Sequence, residues 1–309
     1  MTNDLGHDAT SHSAHAGHAG HGDHSAHTGH GAHGAHGGHG GHGGARPGGL
    51  SVSEDGYTFA LGTTLFTSGP QTVTFQVIGP DGQAVTEYVP EHEKELHLIA
   101  VRRDTARFQH VHPVRDEKGT WSVGLDLEPG DWRFFADIHP AGHDGTLTLG
   151  VDASVAGHYE PQPLPEAART AHVDGYTVTL DGELLVGEAS DLTLTVGRDG
   201  RPVTDLQPYL AAYGHLVALR VGDLGYLHVH PNGEPGDGVT EPGPGITFTA
   251  AAPTAGTYRL YLDFKHEDTV RTAEFTVHAD GAAPRTAPEA GHHHDAHAHH
   301  GAHAHHGHH

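Results

Sequence analysis

The chain of 309 residues has no cysteine and only one methionine, Met1. Without cysteine there can be no disulfide, thiolate metal site, iron–sulfur cluster or cysteine nucleophile. Without a further methionine a thioether Cu(I) site is excluded as well, so any bound metal must be held by imidazole and carboxylate. That donor set favours Zn(II), Cu(II) or Ni(II). Long hydrophobic runs are also missing: no uninterrupted apolar stretch approaches the roughly 18 residues of a spanning helix, and no membrane insertion is expected. Met1 to His7 lack a basic stretch followed by an apolar run. As written the chain reads as cytoplasmic, with the cell envelope or secretion open if the true start lies upstream. Basic residues are few, 16 Lys+Arg against 39 Asp+Glu, giving a formal net charge of -23 with His neutral. This argues against nucleic acid or an anionic membrane as partner and suits a cation binder.

What the chain has in abundance is histidine, 36 residues. With a reference pKa near 6.5, roughly a quarter of them, about nine, are protonated at pH 7. From His12 to His42 a histidine falls at every third position, separated by Gly, Ala, Ser, Thr or Asp. A second such tract closes the chain, with His292-His293-His294 and His305-His306 among Ala and Gly. Neither tract has apolar side chains to offset the entropy of ordering, so residues 1–49 and 281–309 are expected to be disordered tails. Their imidazoles suit a scavenger that exchanges ligands at little cost. The alternatives are low-complexity drift and, at the C-terminus, a purification tag, against which stands the mixing of His with Ala and Gly.

Between the tails, Val, Leu, Thr, Tyr and Phe alternate with polar residues in short runs punctuated by Gly and Pro. Thr72-Val73-Thr74-Phe75-Gln76-Val77-Ile78 ends in Gly79-Pro80-Asp81-Gly82, and Leu192-Thr193-Leu194-Thr195-Val196 ends in Gly197-Arg198-Asp199-Gly200. Such strands predict an all-β sandwich. The region also repeats. His97-Leu98-Ile99-Ala100-Val101-Arg102 returns as His215-Leu216-Val217-Ala218-Leu219-Arg220, and His110-Val111-His112-Pro113 as His228-Val229-His230-Pro231, at one offset: 215 − 97 and 228 − 110 both give 118. Gly130 to Asp137 matches Gly256 to Asp263 at 126, so the second copy carries a longer loop after its His-x-His. Two sandwich domains follow, over 50–159 and 171–280, joined by a Pro-rich linker at 160–170 that contains Glu160-Pro161-Gln162-Pro163-Leu164-Pro165.

A hairpin turning near Asp104-Thr105 places His97 across from His112. Side chains alternate along a strand, so His110 shares that face, and three imidazoles can converge on one ion. A turn at Gly222-Asp223 does the same for His215, His228 and His230. Asp137 and Asp263 are candidate fourth ligands, with His139 and His143 as competitors in the first copy and Lys265 and His266 near the equivalent place in the second. A slip of one residue would move His97 or His215 to the other face. In the alternative reading these histidines are polar strand members bonded to carbonyls or to the aspartates. Catalysis is not expected: Glu91, Glu93 and Glu95 precede the first cluster, whereas Tyr209 to Gly214 offer no matching carboxylate base.

The pattern of a His-Leu strand, an acidic turn, an aromatic-x-His-x-His-Pro strand and a Gly-x-Tyr/Trp strand ending in Asp is carried by His97, Phe108, His110, His112, Trp132 and Asp137. It recurs in His215, Tyr226, His228, His230, Tyr258 and Asp263. On these residues the chain resembles bacterial heavy-metal-associated β-sandwich proteins of envelope type. The resemblance implies an immunoglobulin-like or cupredoxin-like sandwich in a setting of copper or heavy-metal handling. The chain departs from that pattern in lacking an export signal and the Cys and Met of a blue-copper site. The expectation is a divalent metal-binding protein for storage, buffering, detoxification or delivery, with a metal transporter or chaperone as possible partner. Two other readings stay open: an interaction or adhesion module with structural histidines, and a pH-responsive protein whose tails charge below about pH 6.

Overall fold

A computed structural model of the protein describes residues 47–227 and 229–280. The tails expected over 1–49 and 281–309 lie outside the described residues, apart from Pro47 to Gly49. Among the described residues there is no helix. Among these residues twenty strands build two sandwiches, as the alternating runs required.

The first sandwich is formed by β1 (Ser53–Glu54), β2 (Tyr57–Leu61), β3 (Leu65–Thr67), β4 (Gly69–Ile78), β5 (Leu96–Arg102), β6 (Phe108–Val111), β7 (Val114–Arg115), β8 (Thr120–Leu127), β9 (Gly130–Ile138) and β10 (Leu147–Ala156). One sheet has the order β1-β2-β4-β8-β7 and the other β3-β10-β9-β5-β6. The second sandwich comprises β11 (Thr170–Val173), β12 (Tyr176–Asp181), β13 (Ser190–Arg198), β14 (Arg201–Pro202), β15 (Gly214–Arg220), β16 (Tyr226–Leu227), β17 (His230–Pro231), β18 (Gly245–Ala250), β19 (Gly256–His266) and β20 (Thr269–Ala279). Its sheets run β11-β12-β13-β18-β17, with β14 on β13, and β16-β15-β19-β20.

Two kinds of strand occur, and burial separates them. In β4, Val73, Phe75 and Val77 point into the core while Thr72 and Thr74 face out, the alternation of a sheet with one wet face. In β5 every residue from Leu96 to Arg102 is buried, and so is nearly all of β9, β15 and β19. These strands have no wet face because the two sandwiches pack sheet against sheet. Leu98, Ala100, Phe134 and Ala136 fill the first core, whereas their neighbours Ile99, Val101 and Phe135 join Val217, Leu219, Leu224, Tyr226 and Tyr261 in a separate cluster between the sandwiches.

The interdomain layer follows the repeat. Phe108 stacks on Tyr261 with ring centroids 4.0 Å apart and planes within 5°. Its counterpart pair, Tyr226 with Phe135, meets at 5.5 Å. The offsets are those of the sequence repeat: 226 − 108 is 118 and 261 − 135 is 126. The Tyr261 hydroxyl donates across the junction to the Thr105 carbonyl at 2.9 Å. Pro47 to Gly49 cross the same junction, Gly48 bridging to Tyr226 while the Gly49 carbonyl accepts from the Arg133 guanidinium.

Candidate metal centre

His97 belongs to the face of β5 that carries Ile99 and Val101, so it looks toward the second sandwich. β6 pairs with β5 antiparallel, Leu98 opposite Val111 and Val101 opposite Phe108. The next step of that ladder sets His97 opposite His112 across the turn at Asp104-Thr105, the register read from the sequence. Thr105 adopts a left-handed φ of 63° in that turn, and Asp104 braces it by accepting the Ala106 amide and the Arg102 guanidinium.

The three imidazoles converge. His97 Nδ1 lies 3.1 Å from His110 Nε2 and 3.1 Å from His112 Nε2, and one nitrogen from each ring falls within 4.8 Å of the others. A tetrahedral ion with nitrogens at about 2.0–2.1 Å holds them roughly 3.3–3.4 Å apart, so only small shifts separate this arrangement from coordination.

The partners on the far side of each ring fix the tautomers. His97 Nε2 stands 2.9 Å from the Glu91 carbonyl oxygen and must carry the proton, leaving Nδ1 a bare lone pair in the neutral ring. His110 Nδ1 stands 2.8 Å from the Asp263 carboxylate and donates to it, which leaves Nε2 bare when that ring is neutral. Two lone pairs then face one another at 3.1 Å, an arrangement that calls for a cation between them, either a proton or a metal ion. Burial, reinforced by the neighbouring His110, pushes His97 down to about 4. Burial and the His110 and His97 rings push His112 down to about 2. Both are therefore neutral near pH 7, the form that ligates metals.

Of the two aspartates, Asp263 stands one hydrogen bond behind the triad. Asp137 pairs in register with His97 and Asp263 with His215. Each carboxylate accepts a threonine hydroxyl, Thr148 for Asp137 and Thr272 for Asp263. Asp137 also accepts the Tyr226 hydroxyl of the other sandwich at 3.5 Å. Asp263 uses its second oxygen on His110, so the second sandwich supplies a carboxylate to a triad built by the first.

His215 repeats the setting of His97. Its Nε2 donates to the Tyr209 carbonyl at 2.8 Å, and burial pushes it down to about 4. Its ring lies 6.4 Å from His97, 6.3 Å from His110 and 5.1 Å from His92. His228 lies outside the described residues. The backbone of His230 begins β17, which pairs with β18 in the opposite sheet, Thr249 being its partner. Of the possible competitors, His139 bonds the Glu91 side chain at 3.0 Å and His143 the Asp55 carboxylate at 3.3 Å. His266 bonds Tyr176 and Asp205, and Lys265 faces Asp268 at 3.8 Å.

Sequence reasoning missed the Glu91 and Tyr209 carbonyls, His92 and the tyrosine Tyr226, all of which line or orient the site. One signal was present: Glu91 and Tyr209 each stand six residues before a strand histidine, 209 − 91 again giving 118. The site opens into an interdomain cleft lined by Glu91, His92, His97, Asp137, His215 and Tyr226.

Residues 51–155 and 171–281 match one family, described as Domain of unknown function (DUF8832), and the chain belongs to it with two copies in tandem. No curated protein matches. Among solved structures, the chain is similar to a titin substructure, at 12% identity over 74% of this chain and 99% of that one, with a TM-score of 0.20. Fibronectin(III)-like modules of Clostridium thermocellum CbhA align at 11% identity over 78% and 100% of the two chains, TM-score 0.20. Invasin, described as a bacterial integrin-binding protein, aligns at 13% over 75% of this chain and 41% of its own length, TM-score 0.21. At these values the likenesses carry no argument about function.

Proposed function

We propose that the protein binds a divalent transition metal through His97, His110 and His112, and acts by holding that metal rather than by catalysis. The observation that carries the reading is the convergence of His97 Nδ1, His110 Nε2 and His112 Nε2, the first 3.1 Å from each of the others, with the Glu91 carbonyl and the Asp263 carboxylate on the far sides of His97 and His110. Outer-shell acceptors that orient histidine ligands in this way are the usual companions of a metal site. The all-imidazole donor set suits Zn(II), Cu(II) or Ni(II). Among the described residues the nearby carboxylates are already committed, Asp263 to His110 and Thr272 and Glu91 to His139, which favours a holding site over a hydrolytic one. Storage, buffering, detoxification or delivery all fit a protein of this kind, with a metal transporter or chaperone as the natural exchange partner.

The test is metal titration of the full chain by calorimetry and elemental analysis, with a competing chelator strong enough to empty weak sites. Loss of the tightest equivalent in His97→Ala, His110→Ala and His112→Ala, with Zn(II), Cu(II) or Ni(II), is the expected result. Unchanged tight binding in all three variants would confine metal to the histidine tracts and leave the sandwiches as interaction modules.

A further inference from the structure

We infer that metal binding at the triad is coupled to docking of the second sandwich, with Asp263 as the positioning residue that transmits it; this rests on the metal reading above. Three observations carry the inference. The His110 imidazole and the Asp263 carboxylate are each 5% exposed and meet at 2.8 Å across the junction of the two sandwiches. The strand that bears His110 is clamped to the other sandwich two residues earlier, where Phe108 stacks on Tyr261 at 4.0 Å. The turn between β5 and β6 is held by the same residue, through the Tyr261 hydroxyl on the Thr105 carbonyl at 2.9 Å. Strand β6 is thus fixed on one edge by β5 and on its face by the second sandwich.

The physical consequence is linkage. If the sandwiches separate, His110 loses the carboxylate that fixes its proton on Nδ1, and Nε2 no longer has an imposed lone pair. β6 also loses the stack that sets its depth. An ion that binds the docked arrangement better than the separated one must stabilise docking by the same factor. The junction is then a release device: opening it weakens the site without touching a ligand. The ion acts as a clasp between domains whose ligands all come from one of them.

The experiment compares full-length variants by chelator competition with Zn(II) and by amide hydrogen exchange with and without Zn(II). Asp263→Ala should weaken the triad about 10- to 100-fold, the usual cost of losing an outer-shell partner. Asp263→Asn, which keeps an acceptor without the charge, should recover part of that loss. Tyr261→Ala, a residue with no contact to the triad nitrogens, should also weaken binding by several fold, which a purely local effect of Asp263 would not produce. In the wild type, Zn(II) should slow exchange in β15 and β19, and this protection should fall in Asp263→Ala. Affinities within twofold of wild type in Tyr261→Ala and both Asp263 variants, with binding still lost in His97→Ala, would overturn the coupling and leave the metal site standing. Tight binding that survives His97→Ala would overturn both.

Discussion

One His-Leu strand and one His-x-His-Pro segment appear in each sandwich, yet the two copies contribute differently to the cleft. In the first, β6 runs four residues beside β5 and the chain crosses to the opposite sheet only at Val114, after His112. In the second, β16 pairs with β15 for two residues, and His230 already belongs to β17 on the opposite sheet. The long loop that follows, from Asn232 to the start of β18 at Gly245, accompanies this early crossing. A duplicated motif therefore fixes where a histidine starts, and the length of its hairpin decides which sheet it ends on. The second copy gives the triad its carboxylate, Asp263, and its wall, Tyr209 and His215.

The sharpest way to break this comparison is to exchange the roles. His112→Ala removes a ligand and should lower metal affinity by more than the roughly 10–100-fold that an outer-shell loss costs, whereas His215→Ala should leave the tightest equivalent in place. Equal losses in a chelator competition would mean that the two copies act alike. Next in size is the junction. Tyr261→Ala empties a fully buried position and removes a cross-domain hydrogen bond, so denaturant unfolding should show a loss of about 3–5 kcal/mol. Leu65→Ala, on an exposed strand position of the first sandwich, should stay within about 0.5 kcal/mol.

His97 and His215 should also reveal themselves through pH in the presence of a chelator. Each is held near 4 in the folded protein against an unperturbed 6.5, so the unfolded chain takes up the protons first as pH falls. Their contribution is complete above about pH 6.5 and is lost progressively between 6.5 and 4, by about 3 kcal/mol for each ring. Burial is the main cause in both, and His112, pushed lower still, adds to the same window, so His215→Ala should remove about a third of the dependence seen in thermal unfolding. Gly150→Ala tests the other edge of the comparison. A Cβ there would meet the Gly49 carbonyl oxygen at 1.9 Å, and that oxygen receives Arg133. Glu274 holds the corresponding place in β20, opposite Tyr261 as Gly150 is opposite Phe135, and Arg259 bonds it directly. A cost of about 1–3 kcal/mol, without change in metal affinity, is expected.

Much of the first triad was legible. Antiparallel pairing about Asp104-Thr105 fixes His97 against His112, and period-two alternation puts His110 on their face. The junction was written in the sequence less openly. Leu96 to Val101, Phe134 to Ala136 and Leu260 to Phe264 show no polar alternation except at His97 and Asp263, which is how strands buried on both faces read. Such runs announce a second cover without naming it. Glu91 and Tyr209 escaped notice because they act through backbone carbonyls, which leave no side-chain signature.

By itself the sequence determined the donor chemistry and the local geometry: no sulfur, imidazoles at hairpin spacing, and a repeat of the whole unit, since composition and strand period act over a few residues. Tertiary structure decided that the sandwiches meet face to face, that Asp263 turns its carboxylate to a histidine 153 positions away, and that the two His-x-His segments end in different sheets. Those outcomes depend on which apolar face covers which, a choice made by shape and burial over the whole chain and by no short motif.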